Sequence, residues 1–239
     1  MCYTIAIHHT REELENRFGI YKGLEFHESN YHVPAFVLPH VTALTTGKPD
    51  EFTRLQWGLI PFWVKDENTA NEIRTKTFNA RGESITSKAS YKNAIKSQRC
   101  LIPVKGFYEW HTLDKKKYPY YIKARDNEIF CLAGLYDKWL NKETGEEHDT
   151  FTIITTKASP LLETIHNSKK RMPAILHRDE EGKWIDKNTS VEEATALLKA
   201  FEDDKIDAYP ISKLITARGK EKNIPEIIEP FDHGLDLPV

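Results

Sequence analysis

The sequence predicts an α+β fold: an irregular, partly closed, mainly antiparallel β-sheet with a few peripheral helices. Two observations carry that expectation. Short segments rich in β-branched and aromatic residues recur along most of the chain. Helix signals are confined to three stretches, and two of these are capping boxes.

Thr10-Arg-Glu-Glu13 places a threonine three residues ahead of a glutamate, so a short helix opens there and stops at Gly19. Strands follow over Ala35–Leu38 and Arg54–Leu59, then a short helix over Ser90–Ser97. Cys100–Trp110, Tyr118–Lys123, Ile129–Leu135 and Phe151–Thr156 read as further strands. Asn141–Asp149 is polar and contains Gly145, which makes it the turn of a hairpin. Ser190-Val-Glu-Glu193 is the second capping box and gives Val191–Phe201 the strongest helix signal; Ala208–Ile211 is the last strand. Repeats and low-complexity linkers are absent, and 239 residues suit one domain spanning 1–239.

Formal charge is −2, with 34 Lys+Arg against 36 Asp+Glu, which excludes a basic field over the whole protein. Nucleic-acid binding would need a local patch, and Ser168-Lys169-Lys170-Arg171 and Arg74-Thr75-Lys76 are candidates. Each also reads as ordinary solvated surface, the commoner state of a short charge run. Apolar runs such as Phe130–Ala133 are too short to span a bilayer, and the first residues lack the basic and apolar regions of a signal peptide. Three cysteines without CxxC spacing point to a reducing compartment. The expectation is a cytoplasmic monomer, with Cys100 and Cys131 as buried small hydrophobes.

No metal or cofactor is expected. His27-Glu-Ser-Asn-Tyr-His32 resembles a zinc-protease signature but is one residue too long. At that spacing two helical side chains diverge by about 140°. His8, His9, His27 and His32 therefore read as structural or surface residues.

Cys2 stands apart. Loss of Met1 would leave an α-amine and a thiol on one residue, a 1,2-aminothiol. The amine condenses with an aldehyde to an imine, and the thiol closes on the imine carbon to give a thiazolidine. A terminal amine with pKa of about 7.7–8.0 is partly unprotonated near neutrality, and a thiol of pKa about 8.5 needs modest help to ionise. Position 2 alone equally fits an incidental cysteine on a frayed terminus.

Further segments narrow the choice: Trp57-Gly-Leu-Ile-Pro-Phe-Trp63, then Phe78-Asn-Ala-Arg-Gly-Glu83, then Arg99-Cys-Leu-Ile-Pro103 running to Gly106-Phe-Tyr-Glu-Trp110, then Thr155-Thr156, Ile165-His166 and Arg171-Met-Pro173. With Met1-Cys2 this ordered set resembles the SOS-response-associated peptidase (SRAP) domain family from residue 2 to about residue 230. The resemblance implies an SRAP-like fold, self-removal of Met1, and capture of abasic sites in single-stranded DNA as a thiazolidine crosslink through Cys2. The partner is then single-stranded DNA containing abasic sites, and the protein is nucleoid-associated while bound.

The resemblance also implies roles. Asn79 holds the terminal cysteine and the opened sugar by hydrogen bonds; Glu109 shuttles protons; His166 assists ring opening and imine chemistry. Arg81 and Arg171 contact phosphates and Thr155 offers a hydroxyl to the DNA backbone, with Lys169 and Lys170 supplying further charge. Trp63 and Trp110 stack beside the abasic gap, and Pro39 borders the DNA groove. On the residues alone Glu109 better fits the solvated face of an edge strand, while Asn79 also fits a turn, His166 the surface, and the tryptophans core packing.

The chain departs from the family in three places, one of them Trp63-Val64, where some members carry a tryptophan pair. Many members begin Met-Cys-Gly-Arg, where Tyr3 and Thr4 stand here. Asn167-Ser-Lys-Lys170 lengthens the spacing between His166 and Arg171. Competing readings are a glutamine amidotransferase with an N-terminal cysteine nucleophile, a non-covalent single-strand-binding module, and a peptidase acting on other proteins.

Overall fold

The structure is a computed structural model, and it describes residues 2–238. Its strands are β1 (Thr4–Ile7), β2 (Asn30–Pro34), β3 (His40–Thr45), β4 (Lys48–Trp57), β5 (Asn79–Arg81), β6 (Arg99–Val104) and β7 (Gly106–Leu113). They continue with β8 (Lys116–Ala124), β9 (Phe130–Leu140), β10 (Glu147–Lys157), β11 (Arg171–Pro173), β12 (Ile175–Leu176) and β13 (Ile206–Pro210). The helices are α1 (Arg11–Phe18), α2 (Glu67–Arg74), α3 (Ala94–Ser97), α4 (Pro160–Ile165), α5 (Arg178–Ile185) and α6 (Val191–Ala196).

Two sheets form, and the α+β class holds. One is open, in the order β13-β8-β7-β1-β2, so β7 is its central strand. The other curls into a partly closed barrel. Strands β4, β3, β6, β9 and β10 follow one another, and β10 returns to β4 through a short parallel seam at Thr150↔Gln56 and Phe151↔Trp57. Past the seam β10 carries β5 on one edge and β11 on the other, because Thr155 pairs with both Arg81 and Pro173.

Side-chain alternation explains the layering. Ile5 and Ile7 of β1 enter a core with Phe107, Ile102, Val104, Leu132 and Phe151, between the open sheet and the barrel. Ala6 points the other way, onto Tyr108 and Tyr121. The helices cover the barrel's outer side through Leu14, Ile95, Trp184 and Ala194.

Both capping boxes form as read. Thr10 accepts from Glu13 N at 3.1 Å, and α1 ends on Gly19 in the left-handed region at φ 67°. The Asn141 turn also joins two strands, with Gly145 at φ 78°.

Four elements differ from expectation. Cys100–Trp110 is not one strand but two, β6 and β7, broken at a bend on Lys105, and they belong to different sheets. Ala35–Leu38 is a 3₁₀ turn, flanked by Pro34 and Pro39, whose missing N–H groups rule out a continuous ladder. The Val191 helix stops at Ala196, and Leu198 O then accepts from the Thr156 hydroxyl at 3.3 Å. That release lets Phe201 stack on His177. Of Ser90–Ser97 only the last four residues are helical.

Arg99 locks the helices to the barrel. It is fully buried, and its guanidinium donates to five carbonyls, of Ile95, Lys96, Trp184, Asp186 and Thr189. Four of these belong to the C-terminal ends of α3 and α5, where carbonyls lack helical partners and favour a cation. We expect Arg99→Leu to cost at least about 3 kcal/mol in urea unfolding, since several buried acceptors lose their donor together. A loss below about 1 kcal/mol would show that other donors replace it.

Candidate active site

The antiparallel pairing of β1 with β7 sets Ile5 opposite Phe107 and Ala6 opposite Gly106. Continuing that register past the paired residues brings Tyr3 alongside Glu109. Glu109 shares a strand face with Phe107, and that face is the one packed into the main core. Its side chain is only 3% exposed. The edge-strand alternative is excluded, because β7 lies in mid-sheet. Trp110 alternates to the opposite face, partly buried against the Tyr108–Tyr121 cluster, with its edge on the cleft described below.

Cys2 is fully buried just before β1, its thiol 3.7 Å from the Thr4 carbonyl. Asn79 opens β5, which β10 holds in parallel register. Its Nδ2 donates to the Cys2 carbonyl at 2.8 Å. Its Oδ1 is buried with no hydrogen-bond partner among the described residues, an acceptor beside Cys2.

His166 caps the C-terminus of α4, which packs against β7. Nδ1 lies 2.9 Å from the Arg171 carbonyl and 3.5 Å from Glu109 Oε2. A carbonyl can only accept, so Nδ1 carries the proton and Nε2 is the basic nitrogen. Across the longer spacing to Arg171 the ring still lies against Glu109. Asn167–Lys170 bulges outward, with Asn167 bonded through Nδ2 and Oδ1 to the backbone of Thr112 at 2.9 and 3.1 Å.

A cleft of about 190 Å³ opens here, lined by Tyr3, Glu109, Trp110, Thr112, Lys117, His166, Ser168 and Lys169. Lys169 faces it, whereas Lys170 is drawn into an ion pair with Glu163 at 2.6 Å. Tyr3, Thr112 and Lys117 were not among the sequence candidates. Lys117 pairs with Thr112 across a hairpin whose turn residues, Asp114 and Lys115, both adopt positive φ. A turn of that kind usually announces itself with glycine or asparagine, so the register was hidden.

The other predicted residues lie outside this cleft. Arg81 is exposed on β5. Thr155 is fully buried, its hydroxyl 3.2 Å from both Ala80 O and Arg171 Nε, so it reaches the surface only through Arg171. Trp63 is 42% exposed beside Phe62 on a loop fastened from beneath: Asp137 accepts from Phe62 N at 2.9 Å and Trp139 donates to Val64 O at 2.8 Å. Pro39 borders a separate groove with Val37, His40 and Arg54. A roomier cleft of about 420 Å³ elsewhere, lined by Arg17, Arg125, Phe130, His177 and Glu181, holds none of the predicted site residues.

Burial dominates the electrostatics. It pushes Glu109 up from 4.5 to about 8. It pushes His166 down from 6.5 to about 4. It raises the Cys2 thiol strongly, and the nearby Glu109 charge adds to this. His8, His9, His27 and His32 are also held neutral by burial. His9 is in the core, 3.1 Å from Pro103 O, in keeping with a structural role. Among the described residues no helix is long and apolar enough to cross a membrane.

Cys2, the Asn79 amide, a buried acid and a histidine thus meet where an open sheet abuts a small barrel. The chain matches the family described as SOS response associated peptidase (SRAP) over residues 1–218, and it belongs to that family. It is 38% identical over 234 residues to the abasic site processing protein YoqW of Bacillus subtilis (strain 168), spanning 96% of this chain and 99% of that one. It is 32% identical over 206 residues to the abasic site processing protein HMCES of Gallus gallus, spanning 77% of this chain and 59% of that protein. A crystal structure of a Bacteroides thetaiotaomicron protein shares the fold at 40% identity and a TM-score of 0.91, covering 96% of this chain and all of the other.

The raised Glu109 pKa carries a stability signature. Above pH 4.5 the unfolded chain releases a proton that the native site retains until about pH 8, so this residue costs native stability progressively across that interval. We expect Glu109→Gln to resist urea no better than the parent at pH 4, and increasingly better towards pH 8. An advantage independent of pH would show that the native carboxyl ionises normally.

Proposed function

We propose that this protein senses abasic sites in single-stranded DNA and captures them covalently through Cys2, after removing its own Met1. Hydrolysis of the Met1–Cys2 peptide bond consumes one water and frees the α-amine. That amine adds to the C1 aldehyde of the ring-opened sugar, and loss of water gives an imine. The Cys2 sulfur then bonds to C1, its proton passes to the imine nitrogen, and the thiazolidine closes. No co-reactant is needed.

One observation carries this reading: Glu109 is a buried carboxyl tuned to about 8, beside Cys2 and 3.5 Å from His166. An acid poised near neutrality can donate a proton and take it back, as both imine formation and its reversal demand. The elevated thiol pKa fits the same sequence, because the amine reacts first and the thiol needs a base only at closure. Asn79, already bonded to the Cys2 carbonyl, fixes the terminal residue and offers Oδ1 to the sugar. Arg81, Arg171 and Lys169 carry the phosphates, with Trp63 and Trp110 against the bases. The names of the relatives point to the same lesion. On this reading the chain is one monomeric domain working in the cytoplasm.

The test is incubation with single-stranded DNA carrying one abasic site, read on denaturing gels and by intact mass. Processed protein should give an adduct heavier by the DNA, and Cys2→Ala should give none. An adduct formed by Cys2→Ala, or fully processed parent protein that forms none, would overturn the proposal. Glu109→Gln should retain Met1 in a larger fraction of molecules and slow reversal of the adduct by about 10²-fold or more. Normal processing of that variant would remove the acid–base role in the first step.

A further inference from the structure

Glu83 closes the Asn-Ala-Arg-Gly-Glu segment, and neither the lesion chemistry nor the barrel needs it. Its carboxylate grips Arg171 through two parallel hydrogen bonds, Nη1 to Oε1 at 3.0 Å and Nη2 to Oε2 at 2.9 Å. The other edge of the same guanidinium is occupied too: Nε donates to the Thr155 hydroxyl at 3.2 Å and Nη2 to the Thr155 carbonyl at 2.6 Å. Of five N–H donors one is left. Arg171 as it stands cannot offer a phosphate the two-point grip for which arginine is suited.

The two edges differ in permanence. The Thr155 edge is buried and built on the β10–β11 pairing. The Glu83 edge faces outward, with the Glu83 side chain 53% exposed against 12% for Arg171. Arg81, two residues earlier and exposed, also acts on the Glu83 carboxylate. A planar, singly charged, two-oxygen anion thus occupies Arg171 within electrostatic reach of Arg81.

We propose that Glu83 is a built-in phosphate surrogate that occupies the Arg171 seat until a DNA phosphate displaces it. The inference rests on the single-stranded-DNA reading above and adds a limit on its affinity. Exchange swaps one arginine–anion pair for another, so phosphate binding at this seat gains little, and the released Glu83 charge repels the strand. Intact DNA is then held weakly, and stable retention falls to the covalent step at a lesion. The Thr155 edge stays closed throughout, which keeps Arg171 aimed while Glu83 leaves.

The experiment uses Cys2→Ala protein and an undamaged fluorescent oligonucleotide, with binding measured across a salt series. Glu83→Gln keeps the shape and removes the charge. It should tighten binding by about threefold to tenfold at low salt and steepen the salt dependence by about one phosphate contact. Arg171→Gln should abolish that gain. Unchanged or weaker binding by Glu83→Gln would overturn the inference, with Glu83 then serving only to hold Arg171. An equal gain in the Arg171→Gln background would overturn it as well, leaving a diffuse charge effect. Adduct formation by the Cys2-intact protein is scored separately. An adduct without the Glu83→Gln gain defeats this inference alone. The gain without an adduct leaves the phosphate seat standing and defeats the lesion chemistry. Absence of DNA binding by every variant defeats this inference, and absence of binding and adduct together defeats both.

Discussion

The pairing of β1 with β7 decides where the thiol and the acid meet, and the pairing itself depends on a missing side chain. Gly106 lies opposite Ala6, and the Tyr121 ring covers it so closely that a Cβ would come within 2.4 Å of the ring. No L side chain fits there without pushing Tyr121 away. Once the tyrosine closes over the glycine, antiparallel register carries Cys2 and Tyr3 along β7 towards Glu109. Period-two alternation then turns Glu109 into the core with Phe107 while Tyr108 is buried in a second cluster on the opposite face. The Gly-Phe-Tyr-Glu-Trp segment is thus a single geometric device: glycine admits the ring, Phe107 anchors the core face, and Glu109 arrives inside on the same face.

Burial then sets the charge state of the whole centre. The same desolvation that favours a protonated Glu109 favours a neutral His166 and an un-ionised Cys2. At rest near neutrality the three groups are mostly uncharged, so the core does not have to hold an isolated ion, which would be costly. Under the proposed chemistry the first charged species is the iminium formed with the sugar. A positive charge there favours ionisation of Glu109, which converts the proton donor of one step into the base of the next. Asn79 and His166 hold their positions through backbone carbonyls, of Cys2 and Arg171, so their aim does not vary with these titrations.

Much of the fold was legible because its signals are local. Capping boxes at Thr10 and Ser190 and the polar Asn141 turn depend on a few neighbouring residues, and they formed as read. What escaped depends on distant partners. β1 is only four residues long and is held by β2 and β7, far along the chain. Ala35–Leu38 looks like a strand by composition, but its prolines and the Tyr3 carbonyl, which takes the Ala35 N–H at 2.8 Å, make it a turn. At the site, the family resemblance rather than residue types alone singled out Asn79, Glu109 and His166 beside Cys2, and the fold brings these four side chains together. Sequence could not tell a buried glutamate from a solvated one, because that difference lies in which strand neighbours β7. Nor could it show that Thr155 is sealed beneath Arg171.

The departures at Tyr3 and Thr4 follow one physical pattern. Thr4 is 5% exposed and paired in β1, so this strand offers DNA no cation. The positive charge at the cleft comes from the opposite wall, from Lys117 on β8 and Lys169 on the loop after His166. The extra residues of that loop, fastened through Asn167 to Thr112, are what bring Lys169 there. Tyr3 meanwhile lies against the Phe36 ring at 5.2 Å, and Phe36 is 69% exposed. The residue after Cys2 is thus held by an aromatic stack. Under the proposed chemistry, a cysteine pre-ordered in this way would lose less freedom on meeting an aldehyde than one on a loose terminus.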